Sequence, residues 1–196
     1  MRAFLKFVHS MVNSNETTRD MTLKSKNVMV VFGSGGHTTE MLLMLQQTNI
    51  FEKYNHVHFV IGHSDTWSLR KVKDFYKTSM KLDIDQQVSK GNLTIHSLFR
   101  AREVKQSYIS SVFTTLLACC HALLIILKVS IFSSLDLLLT NGPGTAVPMC
   151  YIYFIVSKVL MFNLKSKIIL VESFCRIKSL SLTSKLLRPI VNKFVI

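Results

Sequence analysis

Five consecutive residues, Gly33, Ser34, Gly35, Gly36 and His37, concentrate the chemical potential of this sequence. They follow the apolar run Asn27 to Phe32 and lead into TTEMLLMLQQ, whose leucines and methionines recur at helical spacing. Glycines permit positive φ and let a ligand approach the main chain closely. Set before a helix, their N–H groups and the helix dipole form a receptor for phosphate. The spacing is not GxxxxGK[ST], because no lysine follows, and not GxGxxG, because Thr38 stands at the third glycine position. His37 can exchange a proton near neutral pH and so could act as a general base on a hydroxyl. It could equally hydrogen-bond and orient the loop.

A second turn of similar type is Asn141, Gly142, Pro143, Gly144 and Thr145, which reads as a phosphate-binding loop or as a tight connection. Glu172 follows the apolar run KIILV. A carboxylate there can bind a hydroxyl or transfer a proton, or it can pair with Arg176 four residues on. Arg100, Arg102 and Lys105 could meet phosphate or anionic headgroups, or form a solvated basic loop. Cys119, Cys120, Cys150 and Cys175 form no CxxC pair, which argues against a zinc or thioredoxin-like site. Their apolar surroundings predict small buried hydrophobes in a reducing compartment. No metal and no cofactor is expected.

The elements that must position these residues alternate. Strands are predicted at Asn27 to Phe32, His56 to Gly62, Leu93 to Leu98, Leu135 to Thr140, Lys167 to Val171 and Val191 to Ile196. Several are continuous apolar runs, as expected when both faces of a parallel sheet are covered. Helices are predicted after the first glycine turn, with Thr38 and Thr39 as caps, and over Asp65 to Lys77, with Ser64 as its cap. Others are expected over Ile109 to Leu127, Ala146 to Met161 and Arg176 to Leu187. The alternation predicts an α/β domain with a mainly parallel sheet, whose ligands bind beyond the carboxyl ends of the strands. Both glycine turns, Arg100 and Glu172 fall at such ends.

The chain has 196 residues, suited to one domain, and a formal charge of +13 with an isoelectric point of about 9.8. An anionic partner follows: lipid headgroups, a phosphorylated substrate or nucleic acid. No RRM, KH, zinc-finger or basic-zipper pattern is present, and the charges interleave with apolar runs, so nucleic acid is not expected. Residues 1–25 read as a basic, partly apolar leader. Its run RAFLKFVHSM is too short and too charged for a span and lacks a signal-peptide pattern, but could lie on a membrane as an amphipathic patch. Ile109 to Leu127 is long enough to span a bilayer. A single span there would put strands of one sheet on opposite sides, so a crossover helix with an outer face dipping into lipid is expected instead. Asn15-Glu16-Thr17 and Asn92-Leu93-Thr94 match the glycosylation pattern, idle on a cytosolic domain.

The segments VMVVFGSGGHTTEML, SVFTTL, NGPGTAVP and VESFCRIKSLSLTSKLL, in this order, resemble the membrane-associated subunit of eukaryotic UDP-N-acetylglucosamine transferase. The resemblance spans Asn27 to Ile196. It implies a Rossmann-like sheet forming one half of a GT-B glycosyltransferase, similar to the amino-terminal, acceptor-binding domain of the bacterial transferase MurG. The implied reaction adds the second N-acetylglucosamine to dolichyl-diphosphate-GlcNAc at the cytosolic face of the endoplasmic reticulum. The implied partner is a separate donor-binding subunit that holds UDP-N-acetylglucosamine, and neither subunit is expected to act alone. A non-catalytic membrane scaffold of the same fold is the alternative. By position, His37 and Glu172 match catalytic residues. Gly33, Ser34, Gly35, Gly36, Asn141, Gly142, Gly144 and Thr145 match loops that would cradle the lipid diphosphate. Residues 26–196 are read as the acceptor-binding domain. Two departures from the family are the short basic-apolar run in place of an anchor helix and a chain that stops where a partner-binding tail usually follows.

Overall fold

The computed structural model describes residues 26–101, 108–142, 144–174 and 180–195. The leader, Arg102, Lys105, Pro143, Cys175 and Arg176 lie outside the described residues. In chain order the elements are β1 (Asn27–Val31), α1 (Gly36–Gln46), α2 (Ile50–Lys53), β2 (His56–Gly62), α3 (Thr66–Ser79), α4 (Ile84–Ser89) and β3 (Leu93–Leu98). Then follow α5 (Tyr108–Phe132), β4 (Leu135–Thr140), α6 (Ala146–Phe154), β5 (Lys167–Val171), α7 (Leu182–Leu187) and β6 (Lys193–Val195).

The six strands form one parallel sheet in the order β3-β2-β1-β4-β5-β6. All five residues of β1 are buried, as an apolar central strand covered on both faces must be. Its side chains alternate between two cores. Val28, Val30 and Phe32 pack with α1 and α3 through Met41, Leu42, Leu45, Val72 and Tyr76. Met29 and Val31 pack on the opposite face with α5 and α6 through Ala122, Ile126, Met149 and Tyr153. The chain order reverses at β1: β2 and β3 lie to one side, β4 to β6 to the other. A crevice opens at such a switch point, beyond the carboxyl ends of the two strands that flank it.

Helix α5 joins β3 to β4 within this one sheet and packs against α6, as a crossover. By length and composition, Ser111–Phe132 is apolar enough to cross a membrane. One face lies on the sheet, while Val112, Phe113, Leu116, Leu117, Leu124 and Ile131 are exposed along the other. Cys120 is exposed as well, which corrects the expectation of uniformly buried cysteines; Cys119 is half-buried and Cys150 buried. The reason is helical geometry, because Cys120 falls between Leu116, Leu117 and Leu124 on the outward stripe.

Several boundaries differ from the sequence reading. Helix α1 begins at Gly36, so Thr38 and Thr39 lie inside it rather than capping it. The Thr38 hydroxyl instead donates to the Gly33 carbonyl at 2.6 Å. Asp65, not Ser64, caps α3, accepting from the Ser68 N–H at 3.0 Å. The Ala146 helix passes into a π-helical turn at Ile155–Val159, and within the last predicted helix the described residues are helical over Leu182–Leu187. The last strand is the three residues Lys193–Val195.

Candidate functional site

Strands β1 and β4 are parallel neighbours, with Val31 beside Thr140. The turns that leave them must therefore emerge side by side. A Cβ placed on Gly142 would sit 2.9 Å from both the N and the Cα of Gly33, closer than non-bonded backbone tolerates. Only glycine permits the two turns to touch. The contact is stitched further by polar bonds. Asn141 donates from its side-chain amide to the His37 carbonyl at 2.8 Å. The Thr140 hydroxyl donates to the Val31 carbonyl at 3.2 Å and accepts from the Gly142 N–H at 3.2 Å.

The first turn is bent by Gly35, whose φ of +62° is costly for other residues. Helix α1 starts there without a side-chain cap and without an acidic residue in its first turn. Its leading N–H groups are thus left for an external acceptor. Ser34, Gly35 and Gly36 are exposed, so an anion could reach them. A buried chain holds the turn from behind: Thr38 to Ser68 at 2.8 Å, then Ser68 to the Asp65 carboxylate at 2.7 Å. Arg100 pairs with the same carboxylate at 3.2 Å, so its guanidinium faces the α3 cap.

Beside these turns lies a cleft of about 320 Å³, lined by Gly36, His37, Glu40, Asn141, Gly142, Glu172 and Ser173, with Ser181, Thr183 and Ser184 across from them. Glu172 directly follows β5 and is only 5% exposed. Its carboxylate accepts from the backbone N–H of Ser173 at 3.2 Å and of Ser181 at 3.0 Å. Burial raises its pKa, but hydrogen bonds from Ser184, Ser181 and Ser173 together outweigh that and hold it below the usual carboxylate value. Glu172 is therefore a fixed anion that ties two loops together. Its sequence neighbour Ser173 donates to Glu40 at 2.7 Å, and Glu40 approaches His37 Nδ1 at 3.3 Å.

Of the residues marked from sequence, the fold gathers Gly36, His37, Asn141, Gly142 and Glu172 into this cleft. Gly33 is buried against Gly142 and does not line the cleft. Ser34, Gly35, Gly144 and Thr145 are not among the lining residues. Glu40 and the serines went unmarked. Glu40 could have been found, since three residues after His37 is one helical turn. Ser173 and Ser181 carry no local signal, because only the fold returns them to the cleft.

The character of the lining is uneven. Glu40, Glu172 and the Asn141 side-chain oxygen are hydrogen-bond acceptors, and no lysine or arginine lines the cleft among the described residues. The amide of Asn141 must point its nitrogen at the His37 carbonyl, which leaves Oδ1 buried and without a partner among the described residues. Such an interior suits a ligand rich in O–H and N–H donors.

The family model described as "Oligosaccharide biosynthesis protein Alg14 like" matches residues 28–196. The UDP-N-acetylglucosamine transferase subunit ALG14 of Homo sapiens is 38% identical over 176 residues, covering 88% of this chain and 76% of the human protein. The Mus musculus protein of the same name is 36% identical with the same coverage, and that of Schizosaccharomyces pombe 37% identical over 171 residues, 87% and 75% covered. Among solved structures, MurG of Acinetobacter baumannii superposes with a TM-score of 0.53 at 18% identity, over 86% of this chain and 40% of the MurG chain. That likeness concerns the fold: the six-stranded parallel sheet is a MurG-like half of a GT-B architecture. Matched from residue 28 to 196 and more than a third identical to these relatives across most of its length, the chain belongs to the Alg14 family of oligosaccharide biosynthesis proteins.

Proposed function

We propose that this chain is the acceptor-binding subunit of a heteromeric UDP-N-acetylglucosamine transferase. It holds dolichyl-diphosphate-GlcNAc at the cytosolic face of the endoplasmic reticulum and recruits a donor-binding subunit that carries UDP-N-acetylglucosamine. The observation that carries this reading is the cleft at the sheet's switch point, where two touching glycine turns meet His37 in a chain of this family.

The uneven lining divides the ligand. A diphosphate is disfavoured inside the cleft by Glu40 and Glu172, with no lysine or arginine among the described lining residues. It rests outside, on the exposed Ser34 to Gly36 turn and the uncapped start of α1. The sugar occupies the cleft, its hydroxyl and acetamido N–H groups answering the carboxylates and serine hydroxyls that line it. His37 takes the proton of the acceptor 4-hydroxyl as that oxygen forms its bond to the donor's anomeric carbon. The anomeric C–O bond to the diphosphate breaks, and UDP leaves with the electron pair. Glu172, already an anion with backbone donors, serves as a hydroxyl ligand rather than an acid.

The outer face of α5 supplies the membrane contact. Phe113, Leu116, Leu117 and Leu124 are all exposed on it, and each contributes roughly 1.5–3 kcal/mol when fully buried. A few such side chains lying in the headgroup boundary attach a protein without a span.

The test uses the chain co-purified with its donor-binding partner, UDP-N-acetylglucosamine and a phytanyl-diphosphate-GlcNAc acceptor. Transfer is expected with both subunits and from neither alone. With acceptor in anionic vesicles, Leu117→Glu plus Leu124→Glu is expected to lower transfer at least ~10-fold, while transfer to a detergent-dispersed acceptor stays within about twofold. Stable association of the wild-type pair with no transfer would make the chain a scaffold instead.

A further inference from the structure

We propose that Glu40 is the positioning carboxylate of His37, fixing which ring nitrogen is free to take the substrate proton. The inference rests on the reading of His37 as the base and adds a residue to it. Glu40 and His37 lie on one face of α1, and His37 Nδ1 is 3.3 Å from Glu40 Oε2. Both atoms are buried, and neither has a hydrogen-bond partner of good geometry among the described residues. A buried carboxylate oxygen left without a donor costs free energy. The available remedy is a proton on Nδ1, shared with Oε2.

That choice has a chemical consequence. With hydrogen on Nδ1, the lone pair of the neutral ring resides on Nε2. His37 is one-third exposed and lines the cleft, so that lone pair can meet an acceptor hydroxyl. When the hydroxyl proton moves to Nε2, the resulting imidazolium lies against the Glu40 anion, and the attacking oxygen keeps the electron pair that forms the glycosidic bond. This is the division of labour by which a carboxylate behind a histidine fixes its tautomer and steadies its charge.

Glu40 cannot swing away freely. Its other oxygen accepts from the Ser173 hydroxyl at 2.7 Å, and Ser173 donates its N–H to Glu172 at the end of β5. Ser173 is 133 residues distant in sequence, so the tether joins the first strand–helix unit to the opposite half of the sheet. Longer N–H···O contacts of this kind shorten in the substrate complex.

The experiment reads the tautomer of His37 by nitrogen NMR in the full chain at a pH where the ring is neutral, without partner or substrate. Free histidine favours hydrogen on Nε2. The wild type is expected to show hydrogen on Nδ1, Glu40→Leu to revert to Nε2, and Glu40→Gln, which retains an acceptor oxygen, to keep Nδ1. In the assembled transferase, kcat is expected to fall about 100-fold in Glu40→Leu and about 10-fold in Glu40→Gln, with acceptor KM within about twofold. A wild type with hydrogen on Nε2, or an unchanged kcat in Glu40→Gln, would overturn the proposal. Should Glu40→Leu not fold, the wild-type tautomer and the Glu40→Gln kinetics still decide. Absence of transfer in the wild-type pair would instead strike the functional reading, leaving the tautomer result standing.

Discussion

His37→Ala is expected to lower the rate of sugar transfer by about 10²–10⁴-fold in the assembled transferase, with acceptor affinity changed by no more than about threefold. The expectation follows from where the residue stands. The His37 carbonyl, not its ring, receives the Asn141 amide, and that contact survives truncation of the side chain. Gly33 is held by Thr38, and α1 is anchored by Met41, Leu42 and Leu45 in the core. The turn therefore keeps its shape when the imidazole is removed, and the diphosphate amides remain. What disappears is the imidazole proposed to accept the proton. A loop-orienting histidine would give the opposite pattern: weaker acceptor binding with turnover at saturation preserved. Kinetics over a range of acceptor concentrations separate the two.

Gly142→Ala is expected to damage both stability and transfer, although it adds one methyl group. The new Cβ would stand 2.9 Å from two backbone atoms of Gly33. No flexible side chain is available to yield. β1 and β4 are locked side by side through Val30 with Leu139 and Val31 with Thr140, so the turns must separate or the strand ends must bend. Such overpacking costs on the order of 1–3 kcal/mol, and a displacement approaching 1 Å in a site can cost roughly 100-fold in rate. Thermal unfolding is expected to fall by several degrees, with transfer reduced about 100-fold in the folded fraction. Gly144→Ala provides the contrast. A Cβ there meets nothing within 4 Å, and its stability is expected to stay within about 0.5 kcal/mol of wild type. Equal losses in the two variants would show that the contact between the turns is not what matters.

Much of this site was legible because its frame is a parallel sheet. Buried parallel strands announce themselves as unbroken apolar runs, and His56–Gly62, Leu93–Leu98, Leu135–Thr140 and Lys167–Val171 fall where the sequence predicts. The glycine turns were visible for a similar reason, since Gly35 at positive φ and Gly142 against Gly33 each need the absence of a Cβ. The order of the strands was not legible. Nothing local in NVMVVF and LDLLLT says that these two become neighbours, so the contact of Gly33 with Gly142 emerges only in the fold.

The missed caps share one cause: competition among nearby polar groups. Thr38 has the chemistry of a cap, but its hydroxyl is drawn to the Gly33 carbonyl and to Ser68. Ser64 precedes a better acceptor, and Asp65 takes the cap while also binding Arg100. The helices Ile50–Lys53 and Ile84–Ser89 are too short to display a hydrophobic period. The oxygens of Glu172 accept from the N–H groups of Ser173 and Ser181, a role that its place after KIILV did not suggest, while Arg176 lies outside the described residues. Ser181 is nine residues from Glu172 in sequence, so no local pattern announces that contact.

The most direct measurement is amide chemical-shift mapping of the full chain with a short-chain isoprenyl-diphosphate-GlcNAc in detergent. Saturable shifts are expected at Ser34, Gly35 and Gly36 for the diphosphate, and at His37, Asn141, Gly142 and Ser173 for the sugar. Shifts confined to another part of the surface, such as the cleft lined by His56, His58 and Lys128, would contradict the account.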